Sequence, residues 1–423
     1  MQVKVIDSAK ISFMRLILIG LIGNVVEWYD FAVYGFFSTV IGKVFFPSSD
    51  PAISLIASLG AFAAGFLVRP FGGLVFGRIG DLFGRSRAMF LSVLAMAVPT
   101  VLMAFLPTYE KVGIAAPIAI VLLRVVQGLS VGGEFTSSLV FLAEQAPEKR
   151  RAFFAVWGSW GATAGILLGS VMGLLVTNTL DEDAIIEWGW RIPFLIGGMV
   201  ALSGVLVRKG LHINAPPVLK MEPVRAVFTQ YYPDVLKVAL LNIGSTVAYY
   251  TAFVYSVTYI RNIDQLGDNI AFQVNILSIL ALLFILPLAA WFSDRYGRRP
   301  VLLVAGTLLV VASIPLFHLV HSGSEGLVFV GEFGFSVIVG LMVGGLVATN
   351  VELIPTPVRC TGLAFAYNAS NGIFGGTTPV IAAWLVSSTG NPIAPAYWVM
   401  AMATVSLFTM LFWVGETYRR PLN

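Results

Sequence analysis

Charge is scarce in this 423-residue chain: 11% of its residues are Asp, Glu, Lys or Arg, against about 25% in a soluble domain. With 57% hydrophobic residues and a mean hydropathy of +0.87, the chain reads as a polytopic membrane protein. Cysteine is nearly missing too. The single Cys360 excludes an intrachain disulfide and a cysteine metal cluster. The three histidines, His212, His318 and His321, stand at no metal-ligand spacing, so no metal is expected. No Gly-x-x-x-x-Gly-Lys-Ser/Thr loop is present to hold a nucleotide. No nucleophile–base constellation stands out, so neither an enzyme nor a cofactor is expected. A large soluble domain, which a sensor would need, is also lacking.

What is present is a series of apolar runs. Breaks at charged or turn-rich stretches give twelve spans, near 13–41, 52–76, 88–106, 115–143, 152–176, 188–208, 235–260, 269–292, 301–320, 327–353, 361–387 and 395–414. The first is too long for a signal-peptide core and is read as a retained span. The Lys and Arg residues divide unequally between the two sides. One side collects twenty, among them Arg78, Arg85, Arg87, Arg208, Arg295 and Arg420. The other has Lys43, Lys111, Arg191 and Arg261, while Arg69 and Arg124 fall within spans. The basic side is expected to be cytoplasmic, with both termini on it. The net charge of +4 and the pI near 9.1 then express topology, and no nucleic-acid partner is expected.

The loop after span six, 209–234, holds Pro216, Pro217, Pro223 and Pro233. It reads as a linker between two six-span units, 1–208 and 235–423. The halves repeat weakly. Gly77-Arg-Ile-Gly-Asp81-Leu-Phe-Gly84-Arg85-Ser-Arg87 follows span two, and Ala290-Trp-Phe-Ser-Asp294-Arg295-Tyr-Gly297-Arg298-Arg299 follows span eight. Glu144 with Arg150 follows span four, and Glu352 with Arg359 follows span ten. Six-plus-six repeats point to an all-α membrane protein of two six-helix bundles, with its site at the midplane between them.

Span one carries two carboxylates in its middle. On a helix Glu27, Asp30, Phe31 and Tyr34 share one face. A carboxylate in hydrocarbon costs about 2.5–3.5 kcal/mol on insertion scales, so this face should line a polar cavity. In span four, Arg124 stays charged in essentially any environment and needs a partner. Glu27 and Asp30 reach a similar depth. Glu134 lies ten residues further, about 15 Å along the helix. Glu27, Asp30 and Glu134 are therefore the candidate proton carriers: apolar surroundings favour the protonated form and a nearby Arg the ionised one. Arg69, before Pro70, is expected near the cytoplasmic end of span two in a structural role.

The signature loop and its copy resemble those of the major facilitator superfamily. Arg124-Val-Val-Gln127-Gly128 is similar to its span-four motif, and Gly158, Gly161, Gly165, Gly169 and Gly173 to its glycine-rich fifth span. More narrowly, Gly23-Asn24, Glu27-Trp28-Tyr29-Asp30-Phe31 and Tyr34-Gly35 resemble the metabolite:proton symporters. So do Val68-Arg69-Pro70-Phe71-Gly72-Gly73, Gly132-Gly133-Glu134 and Trp188-Gly189-Trp190-Arg191-Ile192-Pro193-Phe194. Lys43-Val44-Phe45-Phe46-Pro47, Tyr249-Tyr250, Ala382-Ala383-Trp384-Leu385-Val386 and Arg420-Pro421-Leu422 extend the likeness to that family's proline/betaine branch. The resemblance covers essentially the whole chain. It implies a monomer in a bacterial inner membrane, symporting a proton and a small zwitterion such as proline or glycine betaine by alternating access. The family also carries citrate, α-ketoglutarate and shikimate, so an organic acid is the alternative substrate.

Aromatic faces bind quaternary ammonium at about 0.5–2 kcal/mol each. Trp28, Tyr34, Trp157, Tyr249, Tyr250 and Tyr255 are the candidates for that contact. Arg124, Asn24, Asn368 and Asn371 are the candidates for a carboxylate. The loop motifs are expected to form a cytoplasmic gate. Asp81 would accept from the backbone of a neighbouring helix N-terminus, and Arg85 and Arg87 would pair with Glu144 or loop acids. Asp294, Arg298, Arg299 and Glu352 would repeat this in the second half, with Gly77, Gly84, Arg150, Arg295, Gly297 and Arg359 completing the set.

Overall fold

A computed structural model of the chain describes residues 13–208, 222–263, 266 and 268–422. Residues 209–221 of the expected linker, and with them Lys209 and Lys220, lie outside the described residues, as do Lys4 and Lys10. The described residues are almost wholly helical, with no strand among them. In lipid no water satisfies backbone N–H and C=O groups, so each segment closes its own hydrogen bonds.

Twelve helical segments result. In the first bundle they are α1 (Phe13–Phe36, then Ser38–Phe45), α2 (Pro51–Leu67, then Arg69–Phe83), α3 (Arg85–Phe105), α4 (Ala115–Gln145), α5 (Arg151–Thr179) and α6 (Arg191–Arg208). In the second they are α7 (Tyr232–Tyr250 running on to Asn262), α8 (Asp268–Tyr296), α9 (Arg298–Val320), α10 (Glu325–Leu353), α11 (Arg359–Ser370, then Thr378–Thr389) and α12 (Ala394–Phe412). Among the described residues ten helices are long and apolar enough to cross a membrane, and the bent stretch leading into α6 makes up to eleven. The twelfth, α11, is divided by a π-turn at Asn371–Gly375. A second π-turn, Thr251–Tyr255, interrupts α7. A short helix, Pro223–Thr229, precedes α7, and the Glu222 side chain accepts from the Arg225 amide at its start. Burial works against the charged Glu222 carboxyl. The Arg225 amide and the Arg78 guanidinium nevertheless hold it below its ordinary range.

Two sequence expectations need correction. Span two runs to Phe83 rather than ending near 76, and the signature stretch is mostly helix. Gly84 alone makes the turn, at φ 99°, and Gly297 makes its counterpart at φ 102°. Left-handed φ at one glycine reverses the chain without a longer loop. The added length also moves Arg69 from the expected helix end to the middle of α2.

Small residues set the close approaches. A Cβ on Gly128 of α4 would stand 2.0 Å from the Gly65 carbonyl oxygen, and one on Gly72 of α2 would stand 2.0 Å from that of Leu129. Backbone contact of this kind replaces the hydrophobic drive that lipid removes. It brings Arg69 and Arg124 to neighbouring positions. Gly128→Ala is expected to cost about 3 kcal/mol or more through overpacking. Thermal unfolding of the purified variant in detergent measures this, and an unchanged midpoint would contradict it. Between the bundles, α2 packs on α11 and α5 on α8 in a repeated pattern.

Candidate functional site

A cavity of about 70 Å³ lies between the bundles, well above the roughly 10–15 Å³ that one water occupies. Its wall carries the aromatic rings of Trp28, Tyr249, Tyr250 and Tyr367 and the amides of Asn242, Asn350 and Asn371. Asn242 and Asn350 donate to each other at 3.0 and 3.2 Å. The Asn371 side-chain oxygen has no hydrogen-bond partner among the described residues. Trp28 and Tyr249 meet edge to face at 6.5 Å between centroids.

Arg69 sits behind this wall, 1% exposed. Its guanidinium lies 3.8 Å from the Phe66 ring centroid, 4.5 Å from that of Phe31 and 5.6 Å from that of Trp28. Its Nε and Nη2 have no hydrogen-bond partner among the described residues. An orphaned buried donor is costly, and more so when charged. Arg69 is therefore a candidate functional residue, although the sequence suggested a structural role at a helix end. The signal was present: an Arg-Pro pair can sit at a helix break, and here it is the break at Val68 in mid-span.

A second charged group lies deeper in the first bundle. Arg124 donates to Asp30 at 2.7 Å, and both side chains are fully buried. The Thr100 hydroxyl donates to the other Asp30 oxygen at 2.9 Å, and Gln127 donates to that hydroxyl at 2.9 Å. The Tyr34 ring covers the Arg124 guanidinium at 3.8 Å. One continuous network thus links α1, α3 and α4. Glu134 stands apart from it, 2% exposed, accepting a hydrogen bond from the Ser92 hydroxyl. Glu27 is likewise buried, near the cavity-lining Tyr250.

The basic end is closed by two copies of one arrangement. In the first, Asp81 accepts from the Cys360 amide at 3.0 Å, the Thr361 amide at 2.8 Å and the Thr361 hydroxyl at 2.6 Å. Those amides open α11, so a carboxylate of one bundle caps a helix of the other. Arg85 pairs with Asp81 at 3.1 Å and with Glu144 at 3.2 Å, and Arg359 crosses over to Glu144 at 2.8 Å. In the second copy Asp294 accepts from the Ala152 and Phe153 amides at 3.1 and 2.8 Å, which open α5. Arg298 pairs with Asp294 at 2.8 Å and with Glu352 at 3.1 Å, and Arg151 crosses to Glu352 at 3.6 Å. Glu416 adds to this copy alone, accepting from the Arg298 and Arg299 amides at 3.0 and 3.1 Å.

A family model for the Major Facilitator Superfamily matches residues 20–370. The chain belongs to the major facilitator superfamily. Two curated relatives are each 35% identical over the whole chain and 87% of their own length. One is the glycine betaine/proline/ectoine/pipecolic acid transporter of Dickeya dadantii, and the other the proline/betaine transporter of Escherichia coli K12. Among solved structures, the proton:xylose symporter XylE bound to 6-bromo-6-deoxy-D-glucose superposes with a TM-score of 0.81 at 16% identity, covering 97% of each chain. XylE in a partially occluded inward-open conformation matches at 0.69 and 17% identity, covering 96% of this chain and 98% of that one. The protein is thus a multi-pass membrane transporter rather than an enzyme.

Within this superfamily fold several expected residues have other places. Of the substrate candidates, Trp28, Tyr249, Tyr250 and Asn371 line the cavity. Arg124, Asn24, Tyr34, Trp157, Tyr255 and Asn368 do not. Arg124 is engaged by Asp30, and Tyr34 lies over it while donating to the Ser58 carbonyl at 3.1 Å. Asn24 donates to the Ser138 hydroxyl at 2.8 Å. Trp157 packs against Trp160 and Phe153, and Tyr255 against Tyr259. Asn368 donates to the Gly132 carbonyl at 2.7 Å, tying α11 to α4. At the gate, Gly77 permits close contact, since a Cβ there would stand 2.6 Å from the Thr361 Cα. Arg150 and Arg87 are exposed, and the buried crossing cation is the next residue, Arg151. Arg87 stands over the Phe83 ring instead of pairing with Glu144. Arg295 is exposed beside Trp291 and Tyr296, and the Arg299 guanidinium donates to the Leu411 carbonyl at 3.0 Å.

Proposed function

We propose that this protein takes up a small zwitterion of the proline or glycine betaine class together with a proton, by alternating access. The observation that carries the reading is the pairing of an aromatic cavity wall with the buried, incompletely satisfied Arg69 guanidinium behind it. The rings suit the substrate's cationic end. Arg69 suits its carboxylate, because a guanidinium fork meets a carboxylate with two parallel hydrogen bonds. The names of the two relatives, matched over the full chain, support the same substrate class. The Asp30–Arg124 pair is the proposed coupling group. Protonating Asp30 dissolves the ion pair, so proton binding and the packing of α1 against α4 change together. Glu27 and Glu134 are the other proposed proton carriers. One proton moving down 100 mV supplies about 2.3 kcal/mol, which is ample for accumulation without ATP.

The basic end is the proposed cytoplasmic face of a bacterial inner membrane, with both termini on it and 209–234 linking two units of one monomer. In this orientation the cavity is sealed from the cytoplasm by the two gate copies.

An organic acid is the second reading. Two buried cations, Arg69 and Arg124, favour it. The Asp30 carboxylate already neutralises Arg124, which leaves one cation and suits a single carboxylate better than two. Arg69→Gln tests this directly. The variant is expected to raise the KM for glycine betaine about 10–100-fold, the scale of a charge-assisted pair. Inhibition by choline, which has the ammonium but no carboxylate, should stay unchanged. Equal weakening of both would remove Arg69 from the carboxylate subsite.

A further inference from the structure

Glu332 of α10 takes no part in the gate or in the Asp30 network. It is 2% exposed, and no lysine, arginine or histidine whose side chain is described forms an ion pair with it. Spacings of eleven and seven residues put Glu332, Val343 and Asn350 on one stripe of the helix. Val343 and Asn350 line the cavity, so Glu332 continues the cavity-facing stripe about 16 Å further toward the outer end.

Its hydrogen bonds are informative. Ser256 of α7 faces the Glu332 carboxyl, and its single hydroxyl hydrogen is shared between that carboxyl and the Ala252 carbonyl oxygen, 2.6 Å away. The other carboxyl oxygen, Oε2, has no partner among the described residues. An ionised carboxylate there would hold a full charge in an apolar interior with one shared hydroxyl as its donor. A carboxylic acid suits the site better.

The surroundings connect this group with the outer rim. Ser256 follows directly on the π-turn Thr251–Tyr255, the interruption in α7 nearest the cavity. Tyr255 lies 5.9 Å from Tyr259, and Tyr259 lies 5.9 Å from His321, which is partly exposed at the end of α9. Glu325, two turns up the same stripe of α10, is exposed. The facing elements bring few other titratable groups. Residues 270–287 of α8 and 165–179 of α5 contain none. On α9, His318 is exposed. On α4, Arg124 and Glu134 are directed to Asp30 and Ser92 of their own bundle.

We infer that Glu332 is a proton-exchanging site of the second bundle, protonated while the outer half of α7 is packed against α10 and ionised when that half swings away. Closure of the outer end then requires a proton at Glu332. This site is separate from the acids of α1, and its test does not depend on the substrate assignment.

The infrared spectrum of the purified wild-type protein should contain a protonated-carboxyl band that is lost on raising the pH and is missing from E332Q. E332Q, a permanent mimic of the acid form, is expected to keep substrate counterflow within about twofold of wild type while losing the alkaline fall-off in uptake. E332D should restore a fall-off at a shifted pH. A wild-type band that never titrates, or that persists in E332Q, would overturn the proposal. An unchanged pH profile in E332Q would overturn it as well. Failure of zwitterion uptake with the titrating band intact would count against the substrate and leave Glu332 standing.

Discussion

Asp30→Asn is expected to abolish gradient-driven accumulation while leaving measurable exchange of external for internal substrate. The Asn side-chain oxygen can still accept from Arg124, which meets one Asp30 oxygen at 2.7 Å. Its NH2 group takes the place of the other oxygen and can donate to the Thr100 hydroxyl, whose own hydrogen then goes to the Met96 carbonyl oxygen at 2.9 Å. The cavity wall, which does not include Asp30, should therefore keep its shape. What the amide cannot do is gain or lose a proton, so the ion pair with Arg124 can be neither made nor dissolved. Asp30→Ala should behave differently. It strands a guanidinium that is 0% exposed, and breaking a buried pair from one side costs about 3–5 kcal/mol. That variant should unfold at lower temperature and transport nothing. Accumulation ratio and counterflow, measured together in both variants, separate the outcomes. Uphill accumulation by Asp30→Asn would exclude Asp30 as the coupling group.

Asp81→Asn is expected to open the basic end. Asp81 accepts three hydrogen bonds from the start of α11 in the opposite bundle and one from Arg85. An Asn there loses the charge and turns an NH2 group toward donors. At about 3–5 kcal/mol for a broken buried pair, the closed state should lose roughly 100-fold or more in its favour. The chain contains its own reporter. Cys360 is the single thiol of the sequence, is fully buried, and has its sulfur 3.0 Å from where a Cβ on Gly80 would stand. Separation of α2 from α11 uncovers it. Alkylation by a polar maleimide should therefore be slow in the wild type and about 100-fold faster in Asp81→Asn, since labelling follows the open population. Equal labelling rates would mean that Asp81 does not hold the gate.

Much of this was legible in the residues. Hydropathy located the twelve segments because lipid leaves the backbone no alternative to helix. The helix-capping contact expected of Asp81 from its loop motif, and of Asp294 from the repeat, is present in both halves. The depth of Arg69 was not legible. Its position depends on how far α2 continues past Phe76, and the glycines there allow either helix or loop. Glycine contact with Thr361 of the other bundle decides it, and no local pattern records that contact. The same limit applies to Trp157 and Tyr34, whose faces are assigned by neighbouring helices. Arg150 and Arg151 are adjacent in sequence but point oppositely, so a one-residue error exchanged the exposed cation for the buried one. Glu332 carried a signal that was missed: an acid well inside an apolar span, twenty residues before Glu352 at its end.

The central claim is that a proton and a zwitterion move together. Purified protein in liposomes loaded with a pH-sensitive dye, under an inward proton gradient, tests it most directly, with proline, glycine betaine, α-ketoglutarate and citrate added in turn. Proline and glycine betaine should each enter against their own gradients and acidify the lumen, and the two acids should do neither. Zwitterion entry without acidification, or acidification by the organic acids alone, would contradict the account.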